Sequence, residues 1–472
     1  MAILDDTIFR GYDIRGVVDE QLNEDVYYTL GKAYATFLYR RQIRECVVGR
    51  DMRETSEKFQ SSFVKALIES GIDVIDIGLS LTQIIYFAQY HYLSKGGAMI
   101  TASHNPKEFN GLKLAVGFSD TLITSEIREL KEIALSEKFK DFDREGTYRE
   151  DDVFPAYKAD LFKRTNLHDV GLKVVVDSIK ATTGKFLPEI LREAGCEVVE
   201  QNTDIDPSFP LGTPDPTEEE VLKRLAEGVR THNADLGFAY DSDGDRMGVV
   251  DQDGTLMWND VLVALFAKDI LHYLPGSPIV FNALCSKTTS DVIKAEGGSP
   301  QMWLTGHSFI KSKVKEVRAP FGGELSGHFF FMDNFFGHDD GAFASLRLLQ
   351  YLKRTGESLK DAVSSLPQYI SSPEIKLGLS DDLKFKLIDN EIAGDIKQIF
   401  PNAEYIDIDG FRADTQDEML IIRASQNGPY ITIKFEGRTQ EQYDTLKYKV
   451  RDLLKKYAQI DWGQGVNIHA FE

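Results

Sequence analysis

Two short segments of this chain carry residue types that do chemistry at a spacing that would let them act. The first is Thr101-Ala102-Ser103-His104-Asn105-Pro106. It follows an apolar run at 98–101, and a strand that empties into an Asn-Pro turn presents its last hydroxyl at the sheet edge, where α/β sheets bind ligands. Ser103 is therefore a candidate nucleophile or phosphate carrier, with His104 and Lys113 close in sequence as proton or charge partners. The ordinary alternative is a serine that caps a turn. The second segment is Asp241-Ser242-Asp243-Gly244-Asp245-Arg246. Its carboxylates stand at alternate positions around a glycine and can converge on one hard cation.

Three other readings of the acidic segment can be weighed. An EF-hand loop fails, because its sixth position would be glycine and is Arg246, and its twelfth would be glutamate and is Gln252. An aspartyl phosphatase would use Asp241 as the phosphorylated nucleophile and Asp243 as the acid. A solvated hairpin turn is the third, but acids so closely spaced repel one another unless a cation lies among them. Metal binding is the favoured reading.

Two weaker segments complete the inventory. In Gly322-Gly323-Glu324-Leu325-Ser326-Gly327-His328 the glycines permit close backbone approach, and Glu, Ser and His offer the hydrogen bonds that sugar hydroxyls require. His328 before Phe329-Phe330-Phe331 is equally a histidine satisfied at a strand end. In Arg423-Ala424-Ser425-Gln426-Asn427-Gly428-Pro429 a guanidinium, a hydroxyl, two amides and a glycine turn form either a phosphate cradle or a hairpin with an incidental arginine. Near the start, Arg10, Tyr12 and Arg15 add cations and a phenol.

These segments must be held by a scaffold, and the pattern of the chain supplies one. Val26, Leu30, Ala33 and Phe37 recur at helical spacing, as do Phe59, Phe63, Ala66 and Leu67. Compact apolar runs at 46–49, 74–78 and 98–101 alternate with them and imply a buried sheet covered by helices. After a polar stretch at 136–152, a second alternating unit has strands at 174–176, 197–200, 236–240 and 247–250, the last two flanking the acidic segment. A third unit has helices at 261–272 and 342–352 and a strand at 279–282. The last hundred residues differ, with strands at 420–423 and 430–435 before an amphipathic helix at 441–457, a smaller α+β pattern.

Composition narrows the class of protein. A chain of 472 residues with 42% hydrophobic and 27% charged residues is globular and too long for one core. The net charge of −21 argues against general nucleic-acid binding and requires any site for an anionic substrate to gather cations locally. No apolar run is long enough to cross a bilayer, and the start lacks the features of a signal peptide. Cys46, Cys196 and Cys285 are widely spaced and read as reduced thiols, so the expected location is the cytoplasm.

Taken in order, FRGYDIRG, TASHNP, DSDGDR, GELSGH and the Arg-x-Ser segment make the chain similar along its whole length to the α-D-phosphohexomutases of the phosphomannomutase/phosphoglucomutase kind. The resemblance implies three consecutive mixed α/β domains and a smaller C-terminal α+β domain around a central cleft, here expected at 1–153, 154–255, 256–368 and 369–472. It implies that Ser103 is the phosphoserine and that Asp241, Asp243 and Asp245 hold Mg²⁺ with the Ser103 phosphate. Arg15, His104, Lys113 and Arg246 would be the catalytic partners. Glu324, Ser326, His328 and His307 would bind sugar hydroxyls, and Arg423, Ser425, Gln426 and Asn427, helped by Tyr12, the phosphate that is not reacting.

The implied activity interconverts hexose 1-phosphate and hexose 6-phosphate of mannose or glucose through a hexose 1,6-bisphosphate, on a monomer or small homo-oligomer with no nucleic-acid or membrane partner. Phosphoglucosamine mutase is the alternative of the same class, and GELSGH lies nearer to the GEMSGH of dual mannose/glucose enzymes than to the GEQSGH of glucosamine enzymes. Two positions depart from the family pattern. Gln426-Asn427 stands where relatives carry Asn or Gly then Thr, and Leu284 stands where some carry a substrate lysine, with Lys287 nearby.

Overall fold

A computed structural model describes residues 4–426 and 428–472. The chain forms two compact units, one built from the residues up to Asn259 together with Ser326–Asp361, the other from Asp260–Leu325 with Ala362–Glu472. Among the described residues no helix is long and apolar enough to cross a membrane.

The first unit holds two sheets. One runs in the order Ile14–Val17, Phe109–Val116, Gly96–Ile100, Glu45–Arg50, Asp73–Leu79, Tyr148–Glu150. Its last four strands are mutually parallel, and Phe109–Val116 is antiparallel to both of its neighbours. The helices expected on its face are present as Glu24–Arg40 and Ser56–Glu69. The Asn23 side chain caps the first by accepting from the Val26 amide, and Glu24, Asp25 and Arg40 match the helix dipole at its two ends. The two helices touch so closely that a Cβ on Gly31 would lie 2.6 Å from that of Ala66. Tyr27, Leu30, Tyr34, Phe37, Phe59 and Phe63 are buried there.

The other sheet of this unit runs Leu256–Met257, Met247–Asp251, Leu236–Tyr240, Lys173–Asp177, Glu197–Gln201. Tyr240 pairs with Met247 in an antiparallel hairpin, so the acidic segment is its loop. Helix Gly341–Thr355 belongs to this unit and is capped by Asp340, which accepts from the Phe343 amide at 2.8 Å.

In the second unit, Ser299–Trp303, Pro278–Asn282 and Phe321–Gly323 are parallel neighbours. The C-terminal sheet is antiparallel, in the order Glu404–Ile406, Phe411–Asp414, Glu418–Ala424, Tyr430–Gly437, Ile375–Gly378, Asp461–Val466. Its covering helix, Gln440–Leu454, stops three residues short of the expected end at 457. The chain therefore carries three α/β segments and a smaller sheet-containing C-terminal one, as the sequence implies. The GELSGH segment passes from one unit to the other between Leu325 and Ser326.

Candidate active site

Ser103 sits in the turn between strands Gly96–Ile100 and Phe109–Val116. Its φ is +49°, in the left-handed region, a conformation uncommon outside glycine that the surroundings must hold. They do so from several sides. The Ser103 amide donates to Thr101 Oγ1 at 2.9 Å, and that hydroxyl donates to buried Asp51 at 2.8 Å. Arg53, paired with Asp51, donates to the carbonyls of Ser103 (2.9 Å), Asn105 (2.6 Å), Pro106 (2.8 Å) and Phe109 (3.0 Å). Arg15 donates to the Ala102 carbonyl at 3.0 Å and to Asn105 Oδ1 at 2.5 Å. Gly111 is required opposite the turn, since a Cβ there would lie 2.3 Å from the Ile14 carbonyl oxygen.

The turn delivers its hydroxyl to the acidic loop. Ser103 Oγ donates to Asp241 Oδ2 at 2.7 Å and lies 3.1 Å from His104 Nδ1. Asp241, Asp243 and Asp245 are fully buried and bring one oxygen each within 4.8 Å of one another. Lys113, opposite Met99 in the strand pair, donates to Asp243 Oδ2 at 2.7 Å and Asp245 Oδ2 at 2.5 Å. Thr82 donates to Asp243 Oδ2 at 2.7 Å, and Gln83 donates to the Gly244 carbonyl at 3.0 Å. Gly244 has φ +77°, and a Cβ there would lie 2.9 Å from Gln83 Nε2, so another residue would strain this bend.

The charges of this cluster are unequal. Burial, then repulsion by Asp243 and Asp245, drives the Asp241 carboxyl well above the usual carboxylate range. Burial pushes Asp243 the same way, but the Lys113 charge and hydrogen bond, with Thr82, override it and hold Asp243 below the usual range. Burial disfavours the Lys113 ammonium, yet Asp243, Asp245 and Asp241 more than offset that and keep it charged. Lys113 is thus held as a cation between the carboxylates. Asp243 Oδ1 and Asp245 Oδ1 are buried without a hydrogen-bond partner. An all-oxygen set with orphaned acceptors and an acid that resists ionisation fits a hard divalent cation.

This fit carries a sign that can be measured. In the metal-free protein, raising pH from the unfolded carboxyl value of about 4 penalises the folded state progressively, because Asp241 ionises more readily unfolded. A divalent cation takes the proton's place, so millimolar Mg²⁺ should raise the melting midpoint by a few degrees near pH ~8 and by much less near pH ~5. Equal shifts in thermal melts at both values would contradict the metal assignment.

Arg246 closes the loop. Its amide donates to Asp241 Oδ1 at 3.1 Å, its Nε donates to His328 Nε2 at 3.0 Å, and its Nη1 lies 3.5 Å from Asp215. Burial opposes its charge, and Asp215, Asp241, Asp245 and Tyr12 together raise its pKa above the ordinary arginine value. The same Tyr12 phenol bears on Arg15, whose Nε donates to Asp13 at 2.7 Å. Ser326 belongs to the same unit. Of the expected residues, this unit gathers Tyr12, Arg15, Ser103, His104, Lys113, the three aspartates, Arg246 and His328 around one loop.

The remaining expected residues lie in the other unit. Glu324 Oε1 accepts from the Gly306 amide at 2.7 Å, immediately before buried His307 at the start of helix His307–Val317. Arg423 donates through Nε to Asp409 Oδ2 at 2.7 Å, and that oxygen also accepts from the Thr305 amide at 3.0 Å. Asp409 thereby ties the Arg423 loop to the Thr305-Gly306-His307 segment. Buried Lys384 donates to the carbonyls of Ser425 (2.5 Å) and Gly428 (2.8 Å), on either side of exposed Gln426. Asn427 lies outside the described residues. Leu284 packs with Ala283, Leu325, Met419 and Ile421, and Lys287 is buried with its amide donating to Glu436 at 3.0 Å.

Sequence reasoning passed over Asp51, Arg53, Thr82, Lys384 and Asp409. Their partners are mostly backbone carbonyls or loops distant in the chain, which no local spacing marks. His338-Asp339-Asp340-Gly341 was passed over too, although an aspartate just before the helix expected at 342–352 is a favoured N-cap. A Cβ on Gly341 would lie 2.7 Å from the Gly244 carbonyl oxygen, so this helix start abuts the acidic loop.

A serine hydroxyl seated on a buried three-carboxylate set, fenced by fixed cations, defines a phosphoryl-transfer enzyme. Residues 6–141 match phosphoglucomutase/phosphomannomutase alpha/beta/alpha domain I, 155–254 match domain II and 258–369 match domain III. The chain belongs to the phosphoglucomutase/phosphomannomutase family. It is 36% identical over 453 residues to a phosphomannomutase/phosphoglucomutase of Pseudomonas aeruginosa, covering 95% of this chain and 96% of that one. It is 34% identical over 463 residues to a phosphoglucomutase of Neisseria gonorrhoeae, covering 98% of this chain and all of that one. The crystal structure of a phosphoglucomutase/phosphomannomutase family protein from Burkholderia thailandensis superposes with a TM-score of 0.87 at 30% identity, covering 96% of this chain and 98% of that one.

Proposed function

We propose that this protein interconverts the 1- and 6-phosphates of mannose and glucose by exchanging a phosphoryl group through Ser103. The observation that carries this reading is the 2.7 Å contact between Ser103 Oγ and Asp241, in a turn whose strained backbone is held by Arg53 and Arg15. In the forward half-reaction the bond from phosphorus to Ser103 Oγ breaks as a bond to the sugar hydroxyl forms. The hydroxyl's proton leaves, and Oγ regains one. His104 Nδ1, 3.1 Å away, is placed to move a proton at that oxygen. Lys113 and Arg246 offer fixed positive charge to the phosphoryl oxygens. Mg²⁺ held by Asp241, Asp243 and Asp245 with the Ser103 phosphate would further neutralise charge on the transferring group.

The bisphosphorylated sugar then presents its other phosphate to Ser103, so no phosphate is lost to water. Glu324, Ser326 and His307 read the sugar hydroxyls, and Arg423, Ser425, Gln426 and Asn427 hold the phosphate that is not reacting, with Tyr12 assisting. His328, expected among the hydroxyl contacts, is directed in this structure at Arg246. The three buried thiols, all in regions without a disulfide, accord with a cytoplasmic enzyme. A substrate panel tests the assignment: mannose and glucose phosphates should both turn over, each stimulated by glucose 1,6-bisphosphate. Dominant turnover of glucosamine 6-phosphate would overturn the choice of sugar.

A further inference from the structure

Strand Phe411–Asp414 runs antiparallel to Glu418–Ala424, with Phe411 opposite Ile422. Just before it, Asp409-Gly410 crosses the end of the neighbouring strand at contact distance. Gly410 has φ +78°, and a Cβ there would lie 2.5 Å from both the Ile422 carbonyl oxygen and Arg423 Cα. This close crossing brings the Asp409 carboxylate beside the Arg423 side chain. Both residues are buried, at 7% and 5% exposure, and Arg423 Nε donates to Asp409 Oδ2 at 2.7 Å. The same oxygen accepts from the Thr305 amide at 3.0 Å. The next amide, that of Gly306, donates to Glu324 Oε1 at 2.7 Å, and Gly306 has φ +136° before helix His307–Val317. One carboxylate oxygen therefore fixes an arginine of the C-terminal sheet and the backbone that leads into His307.

Other contacts already join these two segments. Arg412 Nη1 donates to the carbonyls of Ala283 and Cys285 at 2.6 and 2.7 Å, and Asp414 accepts from its Nε at 2.8 Å and its Nη2 at 3.0 Å. Met419 and Ile421 pack with Ala283, Leu284 and Leu325. What Asp409 adds is orientation. Resting on the reading of Arg423 as a phosphate anchor and of Glu324 and His307 as readers of sugar hydroxyls, we propose that Asp409 is a positioning residue: it sets the anchor and the hydroxyl-reading segment at one fixed separation. With Nε bound to Asp409, a phosphate is met by Nη1 and Nη2. With the Thr305 amide on the same oxygen, His307 enters its helix at a set distance from that fork. A hexose phosphate is then gripped at its phosphate and its hydroxyls together, and each grip strengthens the other. Without Asp409 the two grips act independently, and the sugar ring is held less well even by an intact His307.

The test titrates Asp409→Ala, Asp409→Asn and Asp409→Glu with inorganic phosphate and with glucose 6-phosphate, followed by phosphorus NMR. Because one oxygen serves both contacts, asparagine keeps both acceptor roles and should bind each ligand within about threefold of the parent. Alanine should weaken inorganic phosphate about tenfold and glucose 6-phosphate about 100-fold, the excess measuring the lost register. Glutamate keeps the charge but displaces the oxygen by a methylene, so it should spare inorganic phosphate and still weaken glucose 6-phosphate about tenfold. In an Arg423→Ala background, Asp409→Ala should have no further effect on inorganic phosphate. In turnover, the alanine variant should raise KM about 100-fold and leave kcat within about fivefold, since the grip is made in ground and transition states alike. A residue that merely supported the fold would lower kcat through the fraction of active protein and would weaken both ligands equally. Equal weakening of the two ligands, unaltered binding in Asp409→Ala, full glucose 6-phosphate affinity in Asp409→Glu, or a loss confined to kcat would each overturn the proposal. An unaltered enzyme that binds hexose phosphate without exchanging it would count against the mutase reading alone.

Discussion

Replacing Ser103 by alanine should abolish exchange between the 1- and 6-phosphates, with a loss on the order of 10⁴-fold or more, while leaving the fold and metal affinity nearly intact. The size follows from the geometry. Ser103 Oγ donates directly to Asp241 Oδ2 at 2.7 Å, and alanine leaves nothing at that position to carry a phosphoryl group. Removing one buried hydroxyl also frees Asp241 Oδ2, so the variant should bind Mg²⁺ at least as well as the parent. Coupled assays with glucose 1-phosphate and thermal melts with Mg²⁺ check the two halves. A Ser103→Ala protein that retained more than about a hundredth of the parent turnover would place the carrier elsewhere.

Replacing Lys113 by methionine should have the second-largest effect, and on stability as well as rate. Its ammonium is buried and lies between Asp243 and Asp245 at 2.7 and 2.5 Å. Methionine matches the stem but leaves those carboxylates without their cation, a change that typically costs about 3–5 kcal/mol when one partner of a buried pair is removed. A divalent cation supplies the missing charge, so Mg²⁺ should raise the melting midpoint of the variant more than that of the parent. Turnover should still fall by about 100-fold or more, since the charge proposed to meet the phosphoryl oxygens is gone. A metal-free variant that melts with the parent would mean that Lys113 is not the counter-ion of this loop.

Much of this site was legible because its chemistry is local. Ser103, the alternating aspartates and the strands that carry them are contiguous, and the Tyr240–Met247 hairpin forms where the apolar runs on either side of the acids place it. The three α/β segments and the C-terminal sheet followed from the same alternation. The supports of the site were not legible. Arg53 works by donating to four carbonyls more than fifty positions away in most cases, and a carbonyl leaves no mark in a sequence. Lys384 holds a loop by the same kind of contact, and Asp409 holds one by accepting from the Thr305 amide. The GELSGH segment reads as one loop, yet the chain changes unit in its middle because Leu325 packs with Leu284 and Met419 while Gly327 accepts at its carbonyl from the Met247 amide at 3.1 Å. Only long-range packing decides such a division.

The central claim is that Ser103, and no other residue of the enzyme, carries the phosphoryl group. Incubating the enzyme with glucose 1,6-bisphosphate, quenching in acid and mapping phosphopeptides by mass spectrometry tests it directly. The expected result is acid-stable phosphate on the peptide that contains Ser103, chased off by hexose monophosphate. Phosphate on the Asp241 peptide that hydroxylamine releases, or active enzyme with no phosphate at Ser103, would contradict it.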